Sequence, residues 1–243
     1  MIKLSIADLT VGIEHRYEYL PVLCKNYLAV QDCEPLFTVS PSQAEIDAEG
    51  ALSTPRFPDP YLESVVAYRQ IAEKLPAYGA MVFHGAVVVL DGRAYAFTAR
   101  SGVGKTTHLR LWLEAFGTRA YVLNGDKPVL FWKDGRVYIC GTPWKGKENL
   151  GEGGTLPLAG IGFLNRSAKN EAYALSASDA LAAFLQQVYM PKNGEALLQT
   201  MALCDKVLSS VPLLSMHCNM DIEAAYVVER GFRAIIDKKE KNT

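Results

Sequence analysis

The 243-residue chain carries 25 Lys and Arg against 26 Asp and Glu, a net charge of −1, which excludes a general electrostatic attraction to nucleic acid or anionic lipid. Its length allows one large domain or one with a smaller appendage, with no apolar run near the length of a membrane span and an alternating Met1-Ile2-Lys3-Leu4 start unlike an export signal. The five cysteines, Cys24, Cys33, Cys140, Cys204 and Cys218, are scattered without a C-x-x-C pair, the usage of a reduced cytoplasmic protein without structural zinc.

The first elements are short and alternating: Ile2, Leu4 and Ile6; then Tyr27, Leu28 and Val30; then Leu36 to Val39, broken by Pro21, Pro35 and Pro41. They predict a small β-rich N-terminal lobe over residues 1–58. The Pro-rich stretch Ser53 to Pro60 is the seam, and residues 59–243 form the second unit. A helix opens there, with Asp59 as cap and Pro60 at its first position. Leu62, Val65, Tyr68, Ala72 and Leu75 share its apolar face, and Pro76 closes it.

Val87-Val88-Val89-Leu90, Asp91-Gly92 and Arg93 to Phe97 predict a β-hairpin. Its second strand runs into Ala99-Arg100-Ser101-Gly102-Val103-Gly104-Lys105-Thr106-Thr107, which reads as a phosphate-binding loop (Walker A, P-loop) with Ala99 where the full pattern begins with Gly. The residue types suit that chemistry. Gly102 and Gly104 let backbone N–H groups turn onto phosphate oxygens, Lys105 adds a point charge, and Thr106 offers a hydroxyl to Mg²⁺. Leu109, Trp112, Leu113 and Phe116 then mark one helix face before a stop at Gly117. The helix start adds its positive dipole end. A loop strand paired antiparallel to its predecessor departs from the parallel βαβ sheet of ordinary P-loop NTPases.

After the apolar stretch Ala120 to Leu123 comes Asn124-Gly125-Asp126. Asp126 has two readings: an acid at a strand end, ligating metal or activating an acceptor, or a solvated residue beside an Asn-Gly turn. A second hairpin spans Val129 to Cys140, with Asp134 in its turn. In the following Gly141 to Glu148 loop, Trp144, Lys145 and Lys147 are either an anion clasp or part of an exposed turn. His84, ahead of the first hairpin, is either a phosphate-orienting group or a structural histidine; His15, His108 and His217 show no partner pattern. Further on, Ala159 to Leu164 predicts a buried strand, and Ser176 to Asp179 a helix start followed by Leu181, Phe184, Leu185 and Val188, closed by Pro191. A helix on Leu197, Leu198, Met201, Cys204 and Leu208, a strand over Val211 to Met216, a helix over Asp221 to Arg233 and a frayed tail from Asp237 complete the chain.

His84-Gly85, the hairpin, Ser101 to Thr107, Asp126 and Pro143-Trp144-x-Gly146-Lys147 together resemble the HPr kinase/phosphorylase family and its HPr-kinase-like relatives, which share a nucleotide core with phosphoenolpyruvate carboxykinases. The resemblance implies an α/β fold with a mixed, antiparallel-rich sheet. It implies that Ser101, Gly102, Val103, Gly104, Lys105, Thr106 and Thr107 wrap the triphosphate of ATP, that Thr106 and Asp126 hold Mg²⁺, and that His84 lies near the transferred phosphate. Family members place two adjacent acids after the strand; here the first is Gly125. The expected activity is a kinase passing the γ-phosphate to a hydroxyl, such as serine in a small protein, peptide or free amino acid, with a homo-oligomer as the family's assembly. The alternatives are a catalytically weak or inactive nucleotide-binding regulatory module and an ordinary P-loop NTPase.

Overall fold

The computed structural model describes residues 1–30, 33–100 and 102–241, with the side chains of residues 239 and 240 left aside. In chain order the elements are β1 (Ile2–Ile6), β2 (Leu9–Ile13), α1 (Tyr19–Cys24), β3 (Phe37–Val39), α2 (Gln43–Gly50), α3 (Asp59–Lys74), β4 (Ala80–Val82), β5 (Ala86–Leu90), β6 (Arg93–Thr98), α4 (Lys105–Phe116), β7 (Ala120–Asn124), β8 (Val129–Lys133), β9 (Arg136–Cys140), β10 (Thr155–Arg166), β11 (Glu171–Ala174), α5 (Ala177–Leu185), α6 (Gly194–Ser210), β12 (Leu213–Cys218) and α7 (Glu223–Glu240). This is a mixed α/β fold with a small N-terminal sheet, β1-β2-β3, and a large mixed sheet ordered β4-β8-β9-β10-β6-β5-β7, to which β12 and β11 attach through β10.

Both predicted hairpins form. In each, Asp-Gly sits at the turn with both residues at positive φ, 50° and 76° for Asp91-Gly92 and again for Asp134-Gly135, the backbone twist that a two-residue hairpin needs. β6 is therefore antiparallel to β5 on one edge, but it is parallel to β10 on the other. β10 makes the sheet mixed: Thr155 to Pro157 pair antiparallel with β9, and Ile161 to Arg166 pair parallel with β12.

Strand alternation assigns the sheet's two faces. Val87, Val89, Ala94 and Ala96 point to a core shared with Phe184 of α5 and with Leu203, Cys204 and Val207 of α6. Val88, Tyr95 and Phe97 point to the opposite core, shared with Leu109 and Trp112 of α4 and with Val228 and Phe232 of α7. Helices thus cover both faces, and β5 is buried along its whole length. A third cluster joins Leu4, Val11 and Ile13 to Ala67 and Ile71 of α3 and to Val82, Val129 and Phe131.

Several expectations need correction. Tyr27, Leu28 and Val30 do not form a strand: Lys25–Tyr27 is a 3₁₀ turn, and Leu28 makes a single bridge to Leu4. The lobe also contains α2, opened by a capping box in which Ser42 and Glu45 satisfy each other's backbone N–H. Pro58, not Asp59, is the N-cap of α3, and Asp59 pairs with Arg56 at 2.5 Å. Val65 and Tyr68 are only half-buried; Val66, Ala67 and Ile71 carry the deep face of α3. In α6, Leu197, Leu198 and Met201 are exposed, Leu198 at 72%, and Ala196, Thr200, Leu203 and Val207 face inward. α5 ends at Leu185, ahead of Pro191, and its Leu181 is exposed. The last helix continues through Glu240 where a frayed tail was expected. Among the described residues no helix is long and apolar enough to cross a membrane.

Candidate functional site

β6 ends at Thr98, and the chain turns through Gly102 (φ 78°) and Gly104 (φ 124°) into α4. Both values lie in the left-handed region that glycine enters without strain. No side chain caps α4 and no acid lies in its first turn, so its N-terminal N–H groups and dipole remain available to an anion. Arg166, the last residue of β10, braces the turn: its Nε donates to Val103 O at 3.0 Å, and a second guanidinium nitrogen donates to Gly102 O. Ser101 lies outside the described residues. A cavity of about 370 Å³ opens beside the turn, lined in part by Val103, Gly104, Thr107, His108 and Arg166. Another, of about 330 Å³ at Gly92, Arg93 and Pro157, lies at the opposite end of β6.

Asp126 is delivered to the same neighbourhood by turn chemistry. Asn124, fully buried at the end of β7, accepts the backbone N–H groups of Asp126 and Lys127 on Oδ1, each at 2.9 Å, and donates through Nδ2 to Thr142 O at 2.9 Å. This Asx turn is the Asn-Gly signal of the sequence, so the turn and the acid belong to one device. The Asp126 backbone carbonyl accepts Gly85 N–H at 3.0 Å. Its side chain meets His84 Nε2 at Oδ1, 3.2 Å away, and Lys127 Nζ at Oδ2, 2.9 Å away. Burial pushes the Asp126 carboxyl up, but the His84 hydrogen bond and the Lys127 charge outweigh it and hold it below its ordinary range.

His84 is fixed through its backbone. Its N–H donates to Gln187 O at 2.6 Å, and its carbonyl accepts Thr98 Oγ1 at 2.9 Å, tying it to the strand that feeds the glycine turn. Lys105 Nζ donates to Ala99 O at 3.2 Å. Burial depresses the Lys105 ammonium, Asp126 opposes that depression and Lys127 adds to it. The structure thus gathers Lys105, Asp126, Lys127 and His84 into one electrostatic cluster. Tyr68 of α3 belongs beside it: burial raises its hydroxyl, and the Asp126 charge raises it further.

The Gly141 to Glu148 loop closes over this cluster. A Cβ at Gly146 would lie 2.9 Å from the Cβ of Asp126. Trp144 packs against Tyr68 with the rings tilted by 55° and their centres 5.4 Å apart, and donates through Nε1 to Ser64 O at 3.1 Å. Lys145 donates to Gly151 O at 2.6 Å, and Lys147 is exposed. Thr106 is half-buried and Thr107 exposed at the start of α4. Sequence reasoning passed over Lys127, Tyr68 and Arg166. Lys127 had a signal in its place beside Asp126; Arg166 had none, since its contact depends on the pairing of β10 with β6.

No protein-family model matches the sequence, and a search of curated proteins finds no match. Among solved structures the chain is similar to the HPr(Ser) kinase/phosphatase from Coxiella burnetii, with a TM-score of 0.40 and 10% identity over 65% of this chain and 98% of that one.

Proposed function

We propose that this chain is an ATP-dependent phosphotransferase in which the Gly102 to Thr107 turn cradles the phosphates and His84 and Asp126 face the transferred group. One observation carries the reading: an uncapped helix start bearing Lys105 lies within electrostatic reach of Asp126, which is itself bracketed by His84 and Lys127. An electropositive cradle beside a fixed acid is the arrangement phosphoryl transfer needs, because its catalysis is mainly positioning and charge stabilisation. The acceptor hydroxyl oxygen forms the new bond to phosphorus as the γ-phosphorus to bridging-oxygen bond breaks. The hydroxyl proton passes to the Asp126 carboxylate, and ADP leaves. The acceptor class is a serine-type hydroxyl of a small protein, peptide or amino acid.

The donor set suits Mg²⁺, which binds through one or two carboxylates together with phosphates and water. Asp126 supplies the carboxylate and Thr106 a hydroxyl. Among the described residues no cluster of three or more His, Cys, Asp or Glu is placed to hold a metal, so the ion would arrive with the phosphates and supply charge neutralisation.

A second reading, a nucleotide-binding regulatory module, draws support from Gly125. A Cβ there would lie 2.8 Å from Lys145 O and 3.1 Å from Leu150 O, so loop backbone fills the space beside the position of a second acid. The ordinary P-loop NTPase reading is weakened by the antiparallel β5–β6 hairpin. The test is incubation with γ-labelled ATP and a fractionated extract, with Lys105→Ala alongside. Transfer of label to one hydroxyl-bearing acceptor only with intact Lys105 supports the phosphotransferase; nucleotide binding without transfer supports the module.

A further inference from the structure

Asp126 has only two carboxylate oxygens, and both are engaged by nitrogen: Oδ1 by His84 Nε2 at 3.2 Å and Oδ2 by Lys127 Nζ at 2.9 Å. Each oxygen keeps a further lone pair, but a divalent ion binding Oδ2 would sit against the Lys127 ammonium, and the two like charges compete for that oxygen. The Lys127 backbone is held firmly. Its N–H donates to Asn124 Oδ1 at 2.9 Å and lies 3.2 Å from Trp144 O, and its carbonyl accepts Thr142 Oγ1 at 2.7 Å. Pro128 follows, disfavouring a helical backbone at Lys127. Its side chain is only 26% exposed, so the ammonium is partly shielded from water where a charge pair outweighs its surface value.

We propose that Lys127 is a tethered cation of the phosphate site: its ammonium and a divalent metal exclude each other at Asp126 Oδ2, and its charge lets nucleotide bind without added metal. The inference rests on the nucleotide reading above. It follows from the juxtaposition of Lys127 with Asp126 Oδ2 at 2.9 Å, near enough to Lys105 for both charges to act on its ammonium. With the ammonium in place, Asp126 no longer repels an incoming polyphosphate, and Lys127 adds a second positive charge near that of Lys105. With it removed, the freed carboxylate repels phosphate until a metal ion neutralises it.

The test is a titration of the full chain with N-methylanthraniloyl-ATP in EDTA and in Mg²⁺, together with Mn²⁺ titration of the nucleotide complex followed by electron paramagnetic resonance. Native protein is expected to bind the nucleotide about equally in both buffers, within roughly threefold, whereas Lys127→Met binds about tenfold more weakly in EDTA, recovers in Mg²⁺ and binds Mn²⁺ about tenfold more tightly. Lys127→Arg, which keeps the charge, is expected to retain native behaviour. If native protein binds only in Mg²⁺, the nucleotide reading stands and the Lys127 proposal falls, a result that needs no variant to fold. If Lys127→Met binds as native protein does in EDTA, the proposal also falls. If native protein takes no nucleotide in either buffer, both fall together.

Discussion

Gly125 lies directly beneath the backbone carbonyl of Lys145, so that a Cβ at position 125 would stand 2.8 Å from that oxygen. The obstruction is main chain, and the Leu150 carbonyl at 3.1 Å blocks the adjacent direction. Gly125→Asp, the substitution that supplies a second acid, must displace the 145–150 loop and set a carboxylate against carbonyl oxygens. It is expected to lower stability by about 1–3 kcal/mol, with little gain in phosphate transfer. Urea unfolding and labelled-ATP transfer on the same preparation check this. A native unfolding midpoint with strongly increased transfer would show that the loop yields.

Under the proposed function, His84 is expected to act on the transferred group and not on nucleotide binding. Its Nε2 meets Asp126 Oδ1 at 3.2 Å, and its backbone is pinned to Gln187 and Thr98. His84→Asn should leave nucleotide affinity within about threefold while lowering transfer about 100-fold, the range of a lost acid–base or charge-stabilising partner. Equal losses in binding and transfer would make His84 part of the binding pocket instead.

Trp144 spends its contacts on the protein: its ring packs on Tyr68, and its Nε1 donates to Ser64 O. Trp144→Ala is expected to cost about 2–4 kcal/mol of stability, combining lost burial with a lost hydrogen bond. Folded Trp144→Ala protein should bind nucleotide nearly as native protein does. A selective loss of affinity, without lowered stability, would restore Trp144 as a ligand contact.

A loss of stability in acid is expected from His108. Its Nε2 accepts from Trp112 Nε1 at 3.0 Å, which leaves the neutral ring's proton on Nδ1, and burial lowers its pKa to about 4. The unfolded chain, with an ordinary histidine near 6.5, binds the proton first as pH falls. His108 therefore contributes its full stability above about pH 6.5 and loses it progressively down to about pH 4, a total of about 3 kcal/mol. Asp126, whose folded value is depressed, keeps its contribution above the ordinary aspartate range and loses it only at lower pH. Urea unfolding at pH 7, 5.5 and 4.5 should show the His108 slope, and His108→Gln should flatten it. A native slope in that variant would locate the proton elsewhere.

Local chemistry was legible in the sequence, and long-range chemistry was not. The two Asp-Gly hairpins follow from turn residues that accept positive φ, and the glycine turn into α4 follows from its spacing. The α2 capping box was written in Ser42 and Glu45, but Ala44, Ile46 and Ala48 fall on no single face of this helix, so no apolar stripe marks it. α6 was misread because apolar residues occur on both sides of it, and periodicity cannot choose between Leu197-Leu198-Met201 and Ala196-Leu203-Val207; packing on the sheet does. In the site, Asp126 could be singled out by its place after a strand. Its pairing with His84, 42 positions earlier, required β4 and β7 to be placed in the same large sheet. Lys127 stands beside Asp126 in the sequence and was passed over there; its pairing with that acid is set by a backbone fastened to Asn124 and Thr142.

The central claim, that the Gly102 to Thr107 turn is a phosphate cradle, is tested most directly by calorimetric titration of ATP into native protein and into Lys105→Ala. Saturable one-to-one binding that weakens at least about tenfold on loss of the Lys105 charge, a deficit of about 1.4 kcal/mol, is the predicted result. Equal affinity in the two proteins, or no binding to native protein, would contradict it.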